Sequence, residues 1–244
     1  MPITPGTVET LRRLLAEEPV PGAERLPGGA GEYARLAPEP RATIAYMAGS
    51  PPEQWPAHYR TYRTALLQLA SLECAAGVPV ERCLRWFRCI ADLASAPRAG
   101  GEPTDAAEAV TCTALARDFT DPARLSGAVP DGPMAERVLH ALLTGAPLPP
   151  PEVPALFDHQ HWAALGRAIR ARDRDAARTA FIGIAEWWIS EYEDSGVPRF
   201  DLSEYPAFEP VPNAALAIAN HAERMDIDFD DPGHRLFYVA ALMD

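Results

Sequence analysis

Apolar residues recur at helical spacing along almost the whole of this 244-residue chain. Recurrence every three to four residues puts apolar side chains on one face of a helix, whereas a half-buried strand requires alternation. No segment combines sustained alternation with hairpin turns, so strands are at most a minor part of the fold. The pattern predicts an all-α protein, an irregular bundle of about ten helices packed as antiparallel helix pairs. The predicted helices cover 7–18, 40–48, 57–76, 80–95, 105–119, 133–144, 158–172, 174–194, 213–225 and 232–243.

Residues with known capping preferences stand at several of the predicted helix ends. Side chains that accept hydrogen bonds from free backbone N–H groups favour N-caps, proline favours the first helical position, and glycine favours the residue after the last turn. The segment 19–38, rich in glycine and proline, is predicted to be a surface loop between helices. The predicted N-caps are Thr7, Thr104, Asp158 and Asp173, the first-position proline is Pro133, and the glycine stops are Gly77, Gly145 and Gly196.

The last thirty or so residues are predicted to form a helix, an acidic turn and a second helix. Asn213 is a favourable N-cap for the first helix, and Asp231 followed by Pro232 is a strong start for the second. At about 100° per residue, His221 falls on the apolar stripe of the first helix, so a titratable imidazole is predicted among apolar neighbours. The stripe also contains Ala214, Ile218 and Met225.

The chain is predicted to be a single helical domain spanning residues 1–244. Its length is sufficient for one large domain or two small ones. The segment 146–154, APLPPPEVP, should be extended and stiff, and it is a possible soft boundary between two helical layers.

The charge balance constrains the kind of partner. The formal net charge is −12 and every one of the 22 basic residues is arginine. An acidic chain lacks the basic footprint that phosphate binding needs, so nucleic acid is excluded as the expected partner. The charge fits a basic protein partner attracted by electrostatic steering, although acidity also simply favours solubility.

The cysteine pattern and the hydropathy indicate a cytoplasmic protein. None of the 4 cysteines has the CxxC spacing of a metal or redox motif, so they are expected to be reduced thiols. The N-terminus lacks an apolar signal core, and no apolar run approaches the length of a membrane span. The prediction is therefore a cytoplasmic chain with no membrane contact.

A few polar residues are predicted to lie on apolar helix faces. Glu73 shares a face with Tyr59, Tyr62, Leu66 and Leu69, where partial desolvation would raise the pKa of its carboxyl unless a cation or donors compensate. It is either a general base or a structural carboxylate paired with an arginine or a tyrosine hydroxyl. His161 lies at the edge of another apolar stripe.

Metal binding is not predicted. His159 and His161 are two residues apart and diverge on a helix, whereas helical metal pairs need a spacing of three or four. The acidic run at 226–231 lacks the glycine and the final glutamate of an EF-hand loop. No cofactor motif is present either.

Two further predicted helices carry candidate functional residues beside their apolar faces. On the helix at 80–95, Arg82, Arg85 and Cys89 are predicted to share the polar side, with Cys89 accessible, while Trp86 and Phe87 point to the core. The arginines could clamp an oxyanion or form an ordinary solvated face. On the helix at 174–194, Trp187 and Glu191 flank the apolar stripe, where they could line a groove or an interface.

The second half of the chain resembles immunity proteins of bacterial polymorphic toxin systems, most nearly the immunity 49 family. The resemblance is carried by AVTCTALARDFTDPARL at 109–125, by the helical pair at 157–188 with RARDRDAARTAF between its apolar faces, and by NAALAIANHAERMDIDFDD at 213–231. It covers about half of the chain. It implies a mostly helical, non-enzymatic protein that binds and neutralises a cognate toxin, and it supplies no catalytic residues.

Two classes of function follow. The first is a toxin-binding immunity protein, with contacts expected from aromatic and charged anchors of the kind that dominate interfaces. The second is a small cofactor-independent enzyme that uses acid–base chemistry on an anionic small molecule, provided that Glu73, His161 and His221 converge, with Arg85 holding the anion. The predicted partner contacts are Trp187, Glu191, Asp226, Asp228, Asp230 and Asp231.

Overall fold

The computed structural model describes residues 3–17, 29–76, 78–98, 103–119, 133–150, 157–194 and 213–227. These residues contain ten α-helices, one 3-10 helix and no strand, so the all-α prediction is confirmed. The only extended pairing among them is one isolated bridge between Pro97 and Pro103. The helices are α1 Pro5–Ala16, α2 Gly29–Leu36, α3 Pro38–Gly49, α4 Tyr59–Ala75, α5 Val80–Ser95, α6 Ala106–Leu115, α7 Met134–Thr144, α8 Phe157–Ala171, α9 Arg174–Asp194 and α10 Asn213–Arg224, and the 3-10 helix Pro52–His58 precedes α4.

The helix ends confirm some of the predicted caps and correct others. Asp173 caps α9, because its Oδ1 accepts from the N–H of Ala176 at 3.0 Å. Gly145 ends α7 in the left-handed conformation with a φ of 74°, which glycine adopts without steric cost. The prediction for Asp158 was wrong, because α8 already begins at Phe157.

Two predicted N-caps on threonine were wrong by a few residues. Thr4 caps α1 in place of Thr7, and Thr7 is buried inside the first turn. Asp105 caps α6 in place of Thr104, whose hydroxyl instead donates to the carbonyl of Ala96 at 2.7 Å. In both cases several hydrogen-bonding side chains stand close together, and tertiary contacts decide which of them caps the helix.

Three further predictions concern segment boundaries. The predicted loop at 19–38 is wrong over Gly29–Leu36, which is helix α2. Pro133 is the N-cap of α7, one residue before the predicted position. The stops at Gly77 and Gly196 and the terminal helix at 232–243 lie outside the described residues.

A single cluster of buried side chains runs from Leu11 in α1 to Ile227 after α10. Helix α6 lies at its centre, since every residue from Ala109 to Leu115 is buried and the helix packs against α5, α7 and α10. Its side chains are mostly small, which allows several helices to approach one axis. Consecutive helices form the most extensive contacts, as in α3 with α4, α4 with α5, and α8 with α9.

The first part of the proline-rich connector, around Leu148, packs against α8. Gly166 leaves room for it, since a Cβ there would come within 2.9 Å of the side chains of Leu148 and Val138. Arg170 of α8 donates to the carbonyl of Ala141 at 2.9 Å and also to the carbonyl of Ala146. Among the described helices, none has the length and apolarity needed to cross a membrane.

Candidate functional sites

Glu73 is a fully buried carboxylate with three hydrogen-bond donors. Its side chain is 0% exposed and lies between α4, α5 and α1. Arg82 donates to it twice, from Nε at 2.6 Å and from Nη2 at 2.8 Å. The indole Nε1 of Trp86 donates a third bond at 2.6 Å. The sequence left two interpretations of Glu73 open, a general base or a structural carboxylate. The structure shows a carboxylate that is paired with an arginine.

Arg82 joins Glu73 to the N-terminal helix. Its Nη2 donates to the carbonyl of Leu14 at 3.0 Å, and its Nη1 is paired with Glu17. Burial by itself would lower the pKa of Arg82, but the hydrogen bond and the charge of Glu73, with the charge of Glu17, raise it overall. The guanidinium therefore stays charged and bridges α1, α4 and α5.

The predicted polar side of α5 needs correction. Arg82 is buried rather than solvated, and Cys89 is buried rather than accessible. Burial first, and then the charge of Asp92, raise the pKa of the Cys89 thiol, which makes it a poor nucleophile. Arg85 is partly buried. Of the two arginines, Arg82 is therefore the one that makes the buried structural contacts described above. The prediction of a solvated arginine face was wrong for this residue.

His221 lies at the contact between α10 and the end of α6. It is 7% exposed, and its ring centroid is 6.2 Å from that of Phe119. Burial, followed by the positive charge of Arg224, lowers the pKa of His221, so the imidazole is neutral at physiological pH. Its Nδ1 has no hydrogen-bond partner among the described residues. The predicted imidazole among apolar neighbours is therefore present.

His161 lies at a different contact, between α8 and α9. Its ring rests against Gly183, where an added Cβ would come within 2.5 Å of the imidazole Nδ1. Glu73, His161 and His221 thus occupy three different helix interfaces: α4 with α5 and α1, α8 with α9, and α10 with α6. Their described neighbours give no support to a shared cavity.

A fourth polar group, which the sequence analysis did not identify, links α4 to α6 through an ion pair and includes the first turn of α7, which packs against α6. Arg63 of α4 donates to Oε2 of Glu108 in α6 at 3.0 Å. The thiol of Cys112 lies 3.6 Å from the other oxygen, Oε1. Asp105, the N-cap of α6, accepts from the N–H of Glu108 at 3.0 Å. We name this group the Glu108 cluster; it comprises Tyr59, Arg63, Asp105, Glu108, Cys112 and Glu136.

Burial and the charges of the cluster shift the pKa values of two of its members, Glu136 and Tyr59. Burial raises the pKa of Glu136 to about 7, with a further contribution from the negative charges of Glu108 and Asp105. Burial and the same two carboxylates raise the pKa of Tyr59. A carboxyl that titrates near neutral pH is a common property of functional sites. The sequence alone gives little indication of this cluster, because Glu136 resembles any acidic residue in the first turn of a helix.

The predicted partner-contact residues are only partly described. Trp187 is partly buried on α9, and Asp226 is exposed just after α10 with a φ of 61°. The side chain of Glu191 lies outside the described part of the structure, as do Asp228, Asp230 and Asp231. In the part that is described, no group of three or more histidine, cysteine or carboxylate side chains could hold a metal ion.

Comparison with family models, with curated proteins and with solved structures finds no match for this chain. The resemblance to immunity proteins therefore stays a prediction.

Proposed function

We propose that this protein is an immunity protein that binds and neutralises a cognate bacterial toxin. The observation that carries the proposal is a formal net charge of −12 on a helical fold whose catalytic candidates lie at three separate interfaces. An enzyme of the predicted kind would need those groups together, whereas a binding protein needs only a stable scaffold and a complementary surface.

The interior supports the role of a rigid scaffold. Glu73 and Arg82 satisfy each other inside the core and fix three helices relative to one another. A partner would then meet a surface that is already in its binding conformation, which lowers the entropy cost of association. A basic toxin domain would be drawn to the acidic surface by long-range attraction.

The described surface offers two anchors for such a contact. Tyr46 on α3 is 71% exposed, and tyrosine is among the residues that dominate interface energetics. Asp226 is exposed after α10, at the start of the predicted acidic turn. Trp187 and Glu191 remain the predicted contacts on α9.

Co-expression with the product of the neighbouring gene tests the proposal. We expect a complex that survives gel filtration and an association rate that falls as salt is added. Asp226→Asn should slow association, whereas Arg172→Gln, an exposed change that makes the surface more acidic, should not. Absence of binding at micromolar concentration, together with no protection of cells that express the neighbouring protein, would refute the proposal.

A second candidate, a cofactor-independent enzyme, is favoured by one observation. Glu136 combines burial with a pKa of about 7, which suits a general acid or base at physiological pH. The reacting group would then be Glu136 with Tyr59, and not the predicted set of Glu73, His161, His221 and Arg85. Titration with small metabolites, followed by product analysis, would test this alternative.

A further inference from the structure

Helix α10 is joined to the end of α6 by polar contacts that are individually long. The side-chain amide of Asn220 donates to the carbonyls of Ala114 and Leu115 at 3.3 and 3.4 Å. Arg117 donates to the amide oxygen of Asn220 at 3.3 Å and lies 3.3 Å from a carboxylate oxygen of Glu223. Hydrogen bonds from nitrogen to oxygen are commonly about 2.9–3.0 Å long, so each of these contacts is a weak one.

The apolar contact of α10 is also small. Helix α10 packs against α6 and α7. Alanine removes much less apolar area from water than leucine does, so burial stabilises this contact less than it stabilises the leucine-rich contacts of α4. A modest change at the interface can therefore decide whether α10 stays docked. The buried apolar side chains described on α10 are Ala217, Ile218, Ala219 and Ala222.

His221 is a buried polar side chain within this contact. Its ring lies beside the ring of Phe119, and the guanidinium carbon of Arg224 lies 5.1 Å from the centroid of the same phenyl ring. A neutral imidazole suits these surroundings. An imidazolium would place a second cation beside a ring that Arg224 already occupies, in a site that is largely closed to water.

An added proton on His221 would also leave a buried donor without an acceptor. The Nδ1 atom has no hydrogen-bond partner among the described residues. In an imidazolium both ring nitrogens are donors, and a buried donor without an acceptor is costly. The carbonyls at the end of α6 are already in use, because that of Ala114 accepts from Asn220 and from the N–H of Arg117, and that of Leu115 accepts from Asn220.

The carboxylates on α10 and after α6 are already paired or exposed. Glu223 has Arg117 as a partner, and Asp118 lies 4.0 Å from Arg88. Asp226 is exposed. A new charge on the imidazole would have to compete for carboxylates that arginines or solvent already hold. The titratable and charged groups on the elements that meet here are Glu223, Arg224 and Asp226 on or just after α10, Arg117 and Asp118 after α6, and Glu136, Arg137 and His140 on α7.

We propose that His221 is a pH-sensitive latch, which holds α10 against the end of α6 while the imidazole is neutral and releases the helix when the imidazole takes up a proton. Release uncovers the small buried side chains at the end of α6, in the centre of the fold. This inference does not depend on the immunity function. It replaces the predicted catalytic role of His221 with a conformational one.

The pH range of the latch follows from the surroundings of the imidazole. Burial, and then the charge of Arg224, lower the pKa of His221 below its ordinary 6.5 in the docked state. In the released state the imidazole is in water and regains its ordinary pKa. Between the two pKa values the released state binds more protons, so docking is strongest above about pH 6.5 and weakens as the pH falls below it. Each unit of pH within that interval favours release by up to about tenfold.

Hydrogen exchange followed by mass spectrometry measures docking in the full chain. The quantity compared is the protection factor, which corrects for the effect of pH on the intrinsic exchange rate. From about pH 7.5 to about pH 5.5, protection of residues 213–227 should fall about three- to tenfold, while α4 and α5 keep theirs. Unchanged protection of 213–227, or an equal loss in every helix, would overturn the proposal.

Substitutions of three histidines locate the effect. His221→Gln removes the titratable ring and should make the protection of 213–227 independent of pH in this range. His58→Gln is the matched control, because His58 is exposed and its ring also lies beside an aromatic ring, that of Tyr62. His140→Gln tests the histidine on α7. Both controls should keep the pH dependence of the parent; its persistence in His221→Gln, or its loss in His140→Gln, would refute the assignment to His221.

A titration of the unaltered protein keeps the proposal testable should His221→Gln fail to fold. The assigned ring proton of His221, followed by NMR, should shift with a midpoint below 6.5. Its titration should coincide with the loss of protection in α10. A midpoint at or above 6.5 would exclude the latch, because protonation would then favour the docked state or leave it unchanged.

Discussion

The substitution Glu136→Gln should make the free energy of unfolding depend less on pH. Burial and two neighbouring carboxylates raise the pKa of Glu136 from its ordinary 4.5 to about 7 in the folded protein. Between these values the folded state binds more protons than the unfolded state, so stability falls as the pH rises. The stabilisation is fully present below about pH 4.5 and is lost as the pH rises through about 7.

The size of the effect follows from the difference between the two pKa values. From 4.5 to about 7 is about 2.5 pH units, which at 1.36 kcal/mol per unit corresponds to about 3 kcal/mol. Solvent reaches the edge of the cluster, so we take this figure as an upper bound and expect about 1–3 kcal/mol. Glutamine has nearly the same shape but no charge, so it avoids the cost of burying a carboxylate at high pH.

Urea unfolding of both proteins from about pH 5 to about pH 9 measures the effect. The free energy of unfolding of the variant, relative to the unaltered protein, should rise by about 1–3 kcal/mol across this range. Any constant offset reports the lost hydroxyl of the protonated acid and does not affect the conclusion. Glu186→Gln, on the exposed face of α9, is the matched control. A difference between Glu136→Gln and the parent that does not vary with pH would refute the assigned burial and charge environment.

Three further substitutions test other contacts, each by urea unfolding. Glu73→Gln should destabilise the protein by up to about 3–5 kcal/mol, because it removes the buried counter-charge of Arg82 and leaves only the half-exposed Glu17; a loss below about 1 kcal/mol would contradict the structural role. Gly183→Ala should cost about 1–3 kcal/mol, because the new methyl group meets the ring of His161; an equal cost in a His161→Ala background would show that this contact is not the cause. Asp105→Ala should cost about 1 kcal/mol through loss of the α6 N-cap, and it should lower the pKa of Glu136 by removing a neighbouring negative charge; an unchanged titration midpoint would argue against their proximity.

Helical periodicity was sufficient to predict the class of fold and most of the helices. The bounds of α5 and α9 agree with the predicted ranges, because strong apolar spacing is a local property that survives packing. Helix α2 was missed because its sequence, GAGEYARL, is short and begins with glycines that also suit a loop. Thr7 was taken for a cap because a threonine at a helix start has the same local appearance whether it caps the helix or reaches a distant partner, here Asp92.

The polar interior was less predictable, because it depends on which helices meet. The burial of Glu73 followed from its place on an apolar face, but its partner Arg82 was predicted to lie on the polar side of α5. Only the approach of α1 gives that guanidinium a carbonyl at Leu14 and a second carboxylate at Glu17. The Glu108 cluster combines residues from positions 59 to 136, and no local pattern brings them together.

Glu73 and Glu136 show why burial of a carboxylate does not by itself identify a functional group. Both lie inside the helical assembly, but three donors surround Glu73, and its negative charge is matched by Arg82. Glu136 has two carboxylates nearby and an oxygen without a partner among the described residues. A matched charge stabilises one arrangement of helices, and a ligand would have to break existing bonds to use it. An unmatched carboxyl gains from any cation that reaches it, so of the two it is Glu136 whose environment favours an exchangeable proton or ligand.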